Sequence, residues 1–226
     1  MISIIIPTYN EQEKIDEILF ALRSWSDRNF IEEIIVTDGG STDKTVEIAQ
    51  ASVKTIIIAG KNRAAQSNAG AAIATGDILF FLHADSIPFP GFSNEIIKAV
   101  NDNYCAGCFR LLFDLPHWFL KANAWFTRFD INAVRFGDQG LFVTRKVFNQ
   151  CGGYDESLTL LDDQEIIHRL KKLTSFKVLN AYITTSARKY VKNGIYKTQV
   201  TFFIIWLLYY LGMAQKRLLQ LYKKLL

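Results

Sequence analysis

Apolar residues recur along this chain in two rhythms: short unbroken runs that stop at polar clusters, and longer stretches spaced for one face of a helix. Residues 2–6, 33–36, 55–58 and 78–82 are runs of the first kind, which predicts strands buried on both faces. Between them lie helical stretches at 11–25, 43–51 and 62–74; in the first, Ile15, Ile18, Leu19, Leu22 and Trp25 share one face. Strand and helix alternating in this way predict βαβ units around a mostly parallel sheet. The second half is less regular, with strands expected at 107–113, 140–144 and 176–179 and helices at 118–129 and 162–173. With no internal repeat, low-complexity tract or Pro/Gly/Ser-rich linker, the pattern predicts one continuous domain over 1–190, with halves at 1–100 and 101–190, followed by a helical appendage over 191–226.

Residues 200–213 form an apolar stretch flanked by Lys197 and by Lys216 with Arg217. It falls short of the roughly 20 residues that span a bilayer. Trp and Tyr between basic flanks suit a helix lying in the headgroup layer. A helix packed on the domain, or pairing two copies of the chain, has equal weight. The net charge of +4 sharpens this choice, because no Asp or Glu follows Glu165 while Lys and Arg continue to Lys224. Such a cation attracts anionic lipid, phosphate or nucleic acid, and the neighbouring apolar stretch selects a membrane surface over nucleic acid.

At 226 residues and 50% hydrophobic, the chain can bury a full core. The first apolar run lacks a basic leader and is broken by Pro7, so it reads as a strand, not a secretory signal. The expected location is cytoplasmic, peripheral on the inner face of the membrane. Cys105, Cys108 and Cys151 are too few and too scattered for a disulfide framework or a four-ligand zinc site, and the first two fit a structural strand.

Chemistry gathers where the runs stop. Thr8, Tyr9, Asn10 and Glu11 follow the first run and can offer a hydroxyl, an aromatic face and a carboxylate to a nucleoside. Asp38 ends the second, where it could accept from a base imide or amine; Gly39 and Gly40 allow close backbone approach, and Ser41 or Asp43 can cap the next helix. Arg63 could reach a diphosphate, while Asn68 and Gly70 suit close packing of their helix. His83 and Asp85 close the fourth run; two apart on a strand, they share a face and could point at one Mn²⁺ or Mg²⁺ or at one ribose. Each fragment alone is more often just a turn. His117 and His168 carry only capping or packing roles, and Trp118, Phe119, Trp125, Phe126 and Phe129 are mostly core, with sugar stacking as the second reading.

Taken in order and spacing, Ser3 to Glu11, Asp38 to Asp43, Arg63 with Asn68 and Gly70, and His83-Ala84-Asp85 resemble the family 2 glycosyltransferases of GT-A fold, and Gly137-Asp138-Gln139-Gly140, Gly152-Gly153-Tyr154-Asp155 and Leu161 to Glu165 extend the likeness. The short length, the His-Ala-Asp form and Ser186-Ala187-Arg188 before an apolar helix look most like the subgroup of radical-SAM/selenodomain-associated transferases 2, linked to arsenosugar biosynthesis. The resemblance implies a nucleotide-diphosphate sugar in the first half, a UDP-sugar as the first choice, and an acceptor of unknown identity in the second. It places Thr8, Glu11, Asp38 and Arg63 on the nucleotide and Asp85 on a Mg²⁺ or Mn²⁺ ion; Tyr9, Asn68, His83 and Arg188 are further candidates for the nucleotide, and His83 for the metal. His83 stands where the family's first Asp usually does. The catalytic base of an inverting transfer maps to Asp163, with Asp162 the second choice; an acidic helix start is the plain structural reading of this pair. A nucleotidyltransferase, or a silent nucleotide-binding or membrane-docked scaffold, are the rival functions.

Overall fold

The computed structural model describes every residue except 26, 28, 58, 59, 61, 133, 134 and 136, and of Ile57 the backbone alone. The expected strand at 55–58 therefore ends outside the described residues. The strands are β1 (Ile2–Thr8), β2 (Ile31–Asp38), β3 (Lys54–Ile57), β4 (Ile78–Phe81), β5 (Ser86–Pro88), β6 (Ala106–Phe113), β7 (Leu141–Thr144) and β8 (Phe176–Thr185). They form one sheet in the order β3-β2-β1-β4-β7-β6-β8-β5. Pairings within β3-β2-β1-β4 and between β6 and β8 are parallel; β7 runs antiparallel to both its neighbours, and β5 to β8.

β1 is buried at every position because both faces of the sheet are covered. Ile2, Ile4 and Ile6 enter one core with α1 (Ile15–Trp25) and α4 (Phe92–Asn101); Ile5 enters the other, with α3 (Arg63–Ile73), α6 (Arg145–Cys151) and α7 (Asp162–Leu173). Gly70 lets α3 lie against the sheet, since a Cβ there would come within 2.5 Å of the Ile5 side chain. α2 (Thr45–Gln50) links β2 to β3, and α5 (Trp118–Phe126) packs beside β6.

Registers bring the site to one edge. Thr8 lies opposite Asp38, Ile5 opposite Phe81, Phe81 opposite Leu141, and Ser86 opposite Thr185. The ends of β1, β2, β4 and β8 and the start of β7 thus share one rim.

Several elements differ from the sequence reading. α1 begins at Ile15 after a turn, and β8 runs six residues beyond the expected end, reaching the rim as the partner of β6 and β5. α5 buries only Leu120 and Ala124, while Trp118, Trp125 and Phe126, with Phe129 beyond the helix, are exposed. The expectation that these aromatics are mostly core is therefore corrected: the helix packs on one side of β6 and the rings meet edge-on, Trp125 lying 5.2 Å from Phe126 and 5.1 Å from Phe129. The apolar stretch at 200–213 belongs to α9 (Ile195–Tyr210), which follows α8 (Arg188–Asn193) and precedes α10 (Gln215–Leu225). One face of this hairpin is domain core, with Ile205 and Leu218 buried and Ile195 and Phe202 packed around Leu120, Ala187 and Tyr190. No helix among the described residues is long and apolar enough to cross a membrane.

Candidate functional site

The first two strand-end loops are laced together. Asn10 sits at φ 54°, a left-handed conformation that Asn tolerates, and its backbone N–H donates to Ser41 Oγ (2.8 Å) while its Oδ1 accepts from the Thr42 N–H (2.9 Å). The Glu11 N–H donates to Thr45 Oγ1 (2.8 Å). Asp38 is wholly buried and accepts from the Gly40 and Ser41 N–H groups, from Ser41 Oγ and from Thr8 Oγ1. Its carboxylate and the Thr8 hydroxyl thus fix the loops to each other. Tyr9 lies beside them, half-buried.

Arg63 opens α3, whose N-cap Asn62 accepts from the Ala65 N–H at 3.2 Å. It forms a fork on Asp162, Nε to Oδ2 at 3.0 Å and Nη2 to Oδ1 at 2.5 Å, and also donates to Asp163 Oδ2. Both carboxylates begin α7, where the helix N-terminus favours negative charge. The preceding Leu161 has φ 65°, a conformation that costs a non-glycine residue about 1–3 kcal/mol. Burial raises Asp162, and the nearby Asp163 charge adds to this against Arg63. Asp163 is also penalised by burial, yet Arg63 and the bond with His83 hold it below the usual carboxylate range. Of the two, Asp163 is the one whose surroundings favour the charged carboxylate.

His83, just past β4, lies between these acids and a second set. Its Nδ1 is 2.6 Å from Asp138 Oδ1, and its Nε2 is 2.8 Å from Arg63 Nη1 and 3.7 Å from Asp163 Oδ2. Burial and Arg63 oppose charge on the ring, but the contacts with Asp138 and Asp163 lift its pKa to about 10. Against its own burial, Asp138 is held down to about 2 by the same contact. His83, Asp85 and Asp138 each offer a ligand atom, all within 4.8 Å of one another. One imidazole and two carboxylates suit Mn²⁺ and similar divalent ions. Burial and the like charge of Asp138 also push Asp85 upward, a repulsion that a cation would relieve. The donor set therefore fits the expected metal.

Asp138 carried no assigned role in the sequence reading. Its signal was Gly137 before it: a Cβ at Gly137 would collide with the Asp163 carboxylate and lie 2.9 Å from the His83 ring. On the far side of Asp85, Arg188 donates through both terminal nitrogens to Glu11 and lies 3.4 Å from Asp85 Oδ2. Asn68 is occupied elsewhere, its amide clamping the loop at 153–156 through the Tyr154 N–H (2.8 Å), the Tyr154 carbonyl (2.9 Å) and Glu156 (2.8 Å). His117 caps α5, accepting from the Phe119 N–H, and His168 is exposed. Cys108 is buried in β6, and burial pushes its thiol up to about 11.

Two cavities meet at this cluster. A cleft of about 270 Å³ contains Glu11, Asp85 and Arg188, and a larger chamber of about 480 Å³ contains Asp163, Leu161 and aromatic residues of α9. Arg63, His83, Asp138, Lys189 and Phe202 border both.

The model of glycosyl transferase family 2 matches residues 3–154. An uncharacterized glycosyltransferase of Haemophilus influenzae is 25% identical over 189 residues, which is 78% of this chain and 64% of that protein. The chain thus spans somewhat less than two thirds of that relative. Among solved structures, the mannosyltransferase PcManGT from Pyrobaculum calidifontis, in complex with GDP-Man and Mn²⁺, superposes with a TM-score of 0.70 at 16% identity, covering 90% of this chain and 61% of that one. A fragment of S. aureus TarS in complex with UDP gives 0.65 at 15% identity, covering 99% and 70%. At these identities the likeness is one of fold, the GT-A architecture.

Proposed function

The chain belongs to glycosyl transferase family 2, and on that footing we propose that it is an inverting, metal-assisted glycosyltransferase that moves a sugar from a nucleotide diphosphate to an acceptor hydroxyl. The carrying observation is the meeting of the two cavities at a carboxylate, Asp163, and a cation-binding cluster, His83 with Asp85 and Asp138. The small cleft takes the donor, with Tyr9 and Glu11 toward the nucleoside, the buried Thr8 and Asp38 bracing the loops behind them, and Arg63 and Arg188 toward the diphosphate. A UDP-sugar is the first donor to test; the complexes of the structural neighbours with UDP and with GDP-Man support nucleotide sugars as a class.

In the reaction, the acceptor oxygen attacks the anomeric carbon, its proton passes to Asp163, and the bond to the diphosphate breaks with its electron pair leaving on the phosphate oxygen. His83, Asp85 and Asp138 would hold Mn²⁺ or Mg²⁺, which would supply neutralisation of the charge that develops on the leaving diphosphate. Arg63 must loosen its fork on the two aspartates to face that charge, which frees Asp163 as the base. Arg188 likewise exchanges Glu11 for phosphate, leaving Glu11 to accept from sugar hydroxyls.

Within the family, the His-Ala-Asp form and the Ser186-Ala187-Arg188 segment support placement with the radical-SAM/selenodomain-associated transferases 2. The basic, apolar C-terminal hairpin supports attachment to an anionic membrane face on the cytoplasmic side. Calorimetric titration of UDP with and without Mn²⁺, run beside donor hydrolysis, tests the central reading. Metal-dependent binding with turnover is expected; binding without turnover over varied acceptors would leave a nucleotide-binding scaffold, and absence of binding for UDP and GDP alike would sink the proposal.

A further inference from the structure

The chamber beyond Asp163 has walls unlike those of the donor cleft. α9 lines it with Phe202, Phe203, Ile205 and Trp206, and Tyr222 of α10 and Leu161 complete the apolar surface. Its volume lies within the ~300–1,000 Å³ common for sites that enclose a drug-sized ligand. Charged groups gather where it meets the donor cleft, with Arg63, His83, Asp138 and Lys189 on the shared border and Asp163 within the chamber, while Arg135, Gln164 and Gln199 add polar atoms elsewhere on its wall. Lys189 is exposed, has no ion-pair partner among the described residues, and lies 5.7 Å and 6.0 Å from the Phe202 and Tyr222 ring centres.

Phe203 belongs to two surfaces. It borders the chamber, and it is also 57% exposed in an outer stripe of α9 with Val200, Leu207, Tyr210 and Leu211, all exposed. These positions fall at i, i+3, i+7, i+10 and i+11, one face of a helix. The stripe has Lys197 at one end and Lys216 with Arg217 at the other. An apolar surface that borders the catalytic end of a chamber and continues onto a basic-flanked outer face matches a ligand with a hydroxylated head and an alkyl chain.

We propose that the acceptor is such an amphiphile, a membrane lipid whose hydroxylated head reaches Asp163 while its chain lies in the chamber and leaves past Phe203. This rests on the glycosyltransferase reading and adds the acceptor's chemical class. The head is a hydroxyl and not a phosphate, because the chamber wall presents the Asp163 carboxylate where the nucleophile must lose a proton, and a phosphate oxygen needs no such base. Lys189, resting on the two rings, accompanies the polar head.

The test uses the full chain and n-butyl and n-octyl β-glucoside below their micelle-forming concentrations, with octyl phosphate as the charged arm; UDP affinity in Mn²⁺ is measured on the same samples. The octyl glucoside should bind about tenfold or more tightly than the butyl compound, since each buried methylene strengthens binding. Phe203→Glu should remove that chain-length gain while leaving UDP affinity and melting temperature unchanged. Phe126→Glu, at another exposed aromatic, on α5, should leave it intact. Equal affinity for both chain lengths, competition between octyl glucoside and UDP, or tighter binding of octyl phosphate would each overturn the assignment. So would a Phe203→Glu chain that binds as before, or one whose sedimentation shows a lost dimer, since the stripe would then join two copies. Loss of UDP binding in the unmodified chain fails the enzyme reading instead, so the two failures are separable.

Discussion

Asp162 and Asp163 share one arginine yet are pushed in opposite directions: burial lifts the pKa of the first, while Arg63 and His83 lower that of the second. On the proposed reading Asp163 is the base and Asp162 holds Arg63. Asp163→Asn should keep UDP affinity within about twofold and reduce transfer by about 10²–10⁴-fold, measured by single-turnover assay; retained transfer would move the base to Asp162. Asp85→Ala should abolish the Mn²⁺-dependent part of UDP binding in calorimetry, and unchanged affinity would remove Asp85 from the site. Gly137→Ala places a methyl group against the Asp163 carboxylate, so transfer should fall while the melting temperature moves by only a few degrees. At this scale the sequence announced its chemistry unevenly. His83, Asp85, Asp163 and Arg63 were readable because each ends a strand or starts a helix. Asp138 follows no apolar run, and its place depends on β7 entering antiparallel beside β4, a pairing that hydrophobic period does not encode.

Elements carry a different lesson. β1, β2 and β4 were legible because strands covered on both faces show as unbroken apolar runs. β5, three residues long, leaves no such signature and exists as the partner of the far end of β8. The extension of β8 from Leu179 to Thr185 mixes Asn180, Tyr182 and Thr184 with buried Ala181 and Ile183, a half-buried alternation instead of a run. The opposite edge is tied by Glu33, which accepts from the Thr75 N–H (2.6 Å), Thr75 Oγ1 (2.7 Å) and Ser3 Oγ (3.0 Å) and faces Lys54 at 3.6 Å. Burial favours the neutral acid there, but these bonds and Lys54 outweigh it and depress its pKa. The resulting stability is complete above the unfolded value near ~4.3 and disappears as pH falls through the lower folded value. Glu33→Gln should therefore cost about 1–3 kcal/mol at pH 7, with the gap from the parent closing in denaturant titrations toward pH 3. A gap constant with pH would assign the effect to packing.

Across the whole molecule, the C-terminal hairpin is both wall and core. Leu218 and Ile205 are buried in it, so a chain cut after Asn193 should expose apolar surface, bind a hydrophobic dye and lose its cooperative melt. A truncated chain that melts as the parent does would make the hairpin a detachable anchor. The site, too, is assembled from distant parts of the chain: Arg188 meets Glu11 across 177 positions and Asp85 across 103. During synthesis at ~5–20 residues per second, Asp85 leaves the ribosome roughly 5–20 s before Arg188. In that interval Glu11 and Asp85 lack the Arg188 guanidinium, and on the proposed metal reading a divalent cation would be the partner that quiets them. Refolding of the full chain should accordingly run faster with Mn²⁺ present from the first moment than with Mn²⁺ added at the end, and equal rates would show that the acids do not wait for a partner. The clasp between Glu11 and Arg188 would then mark the last stage of the protein's own making, with the ion as an early guest in its folding.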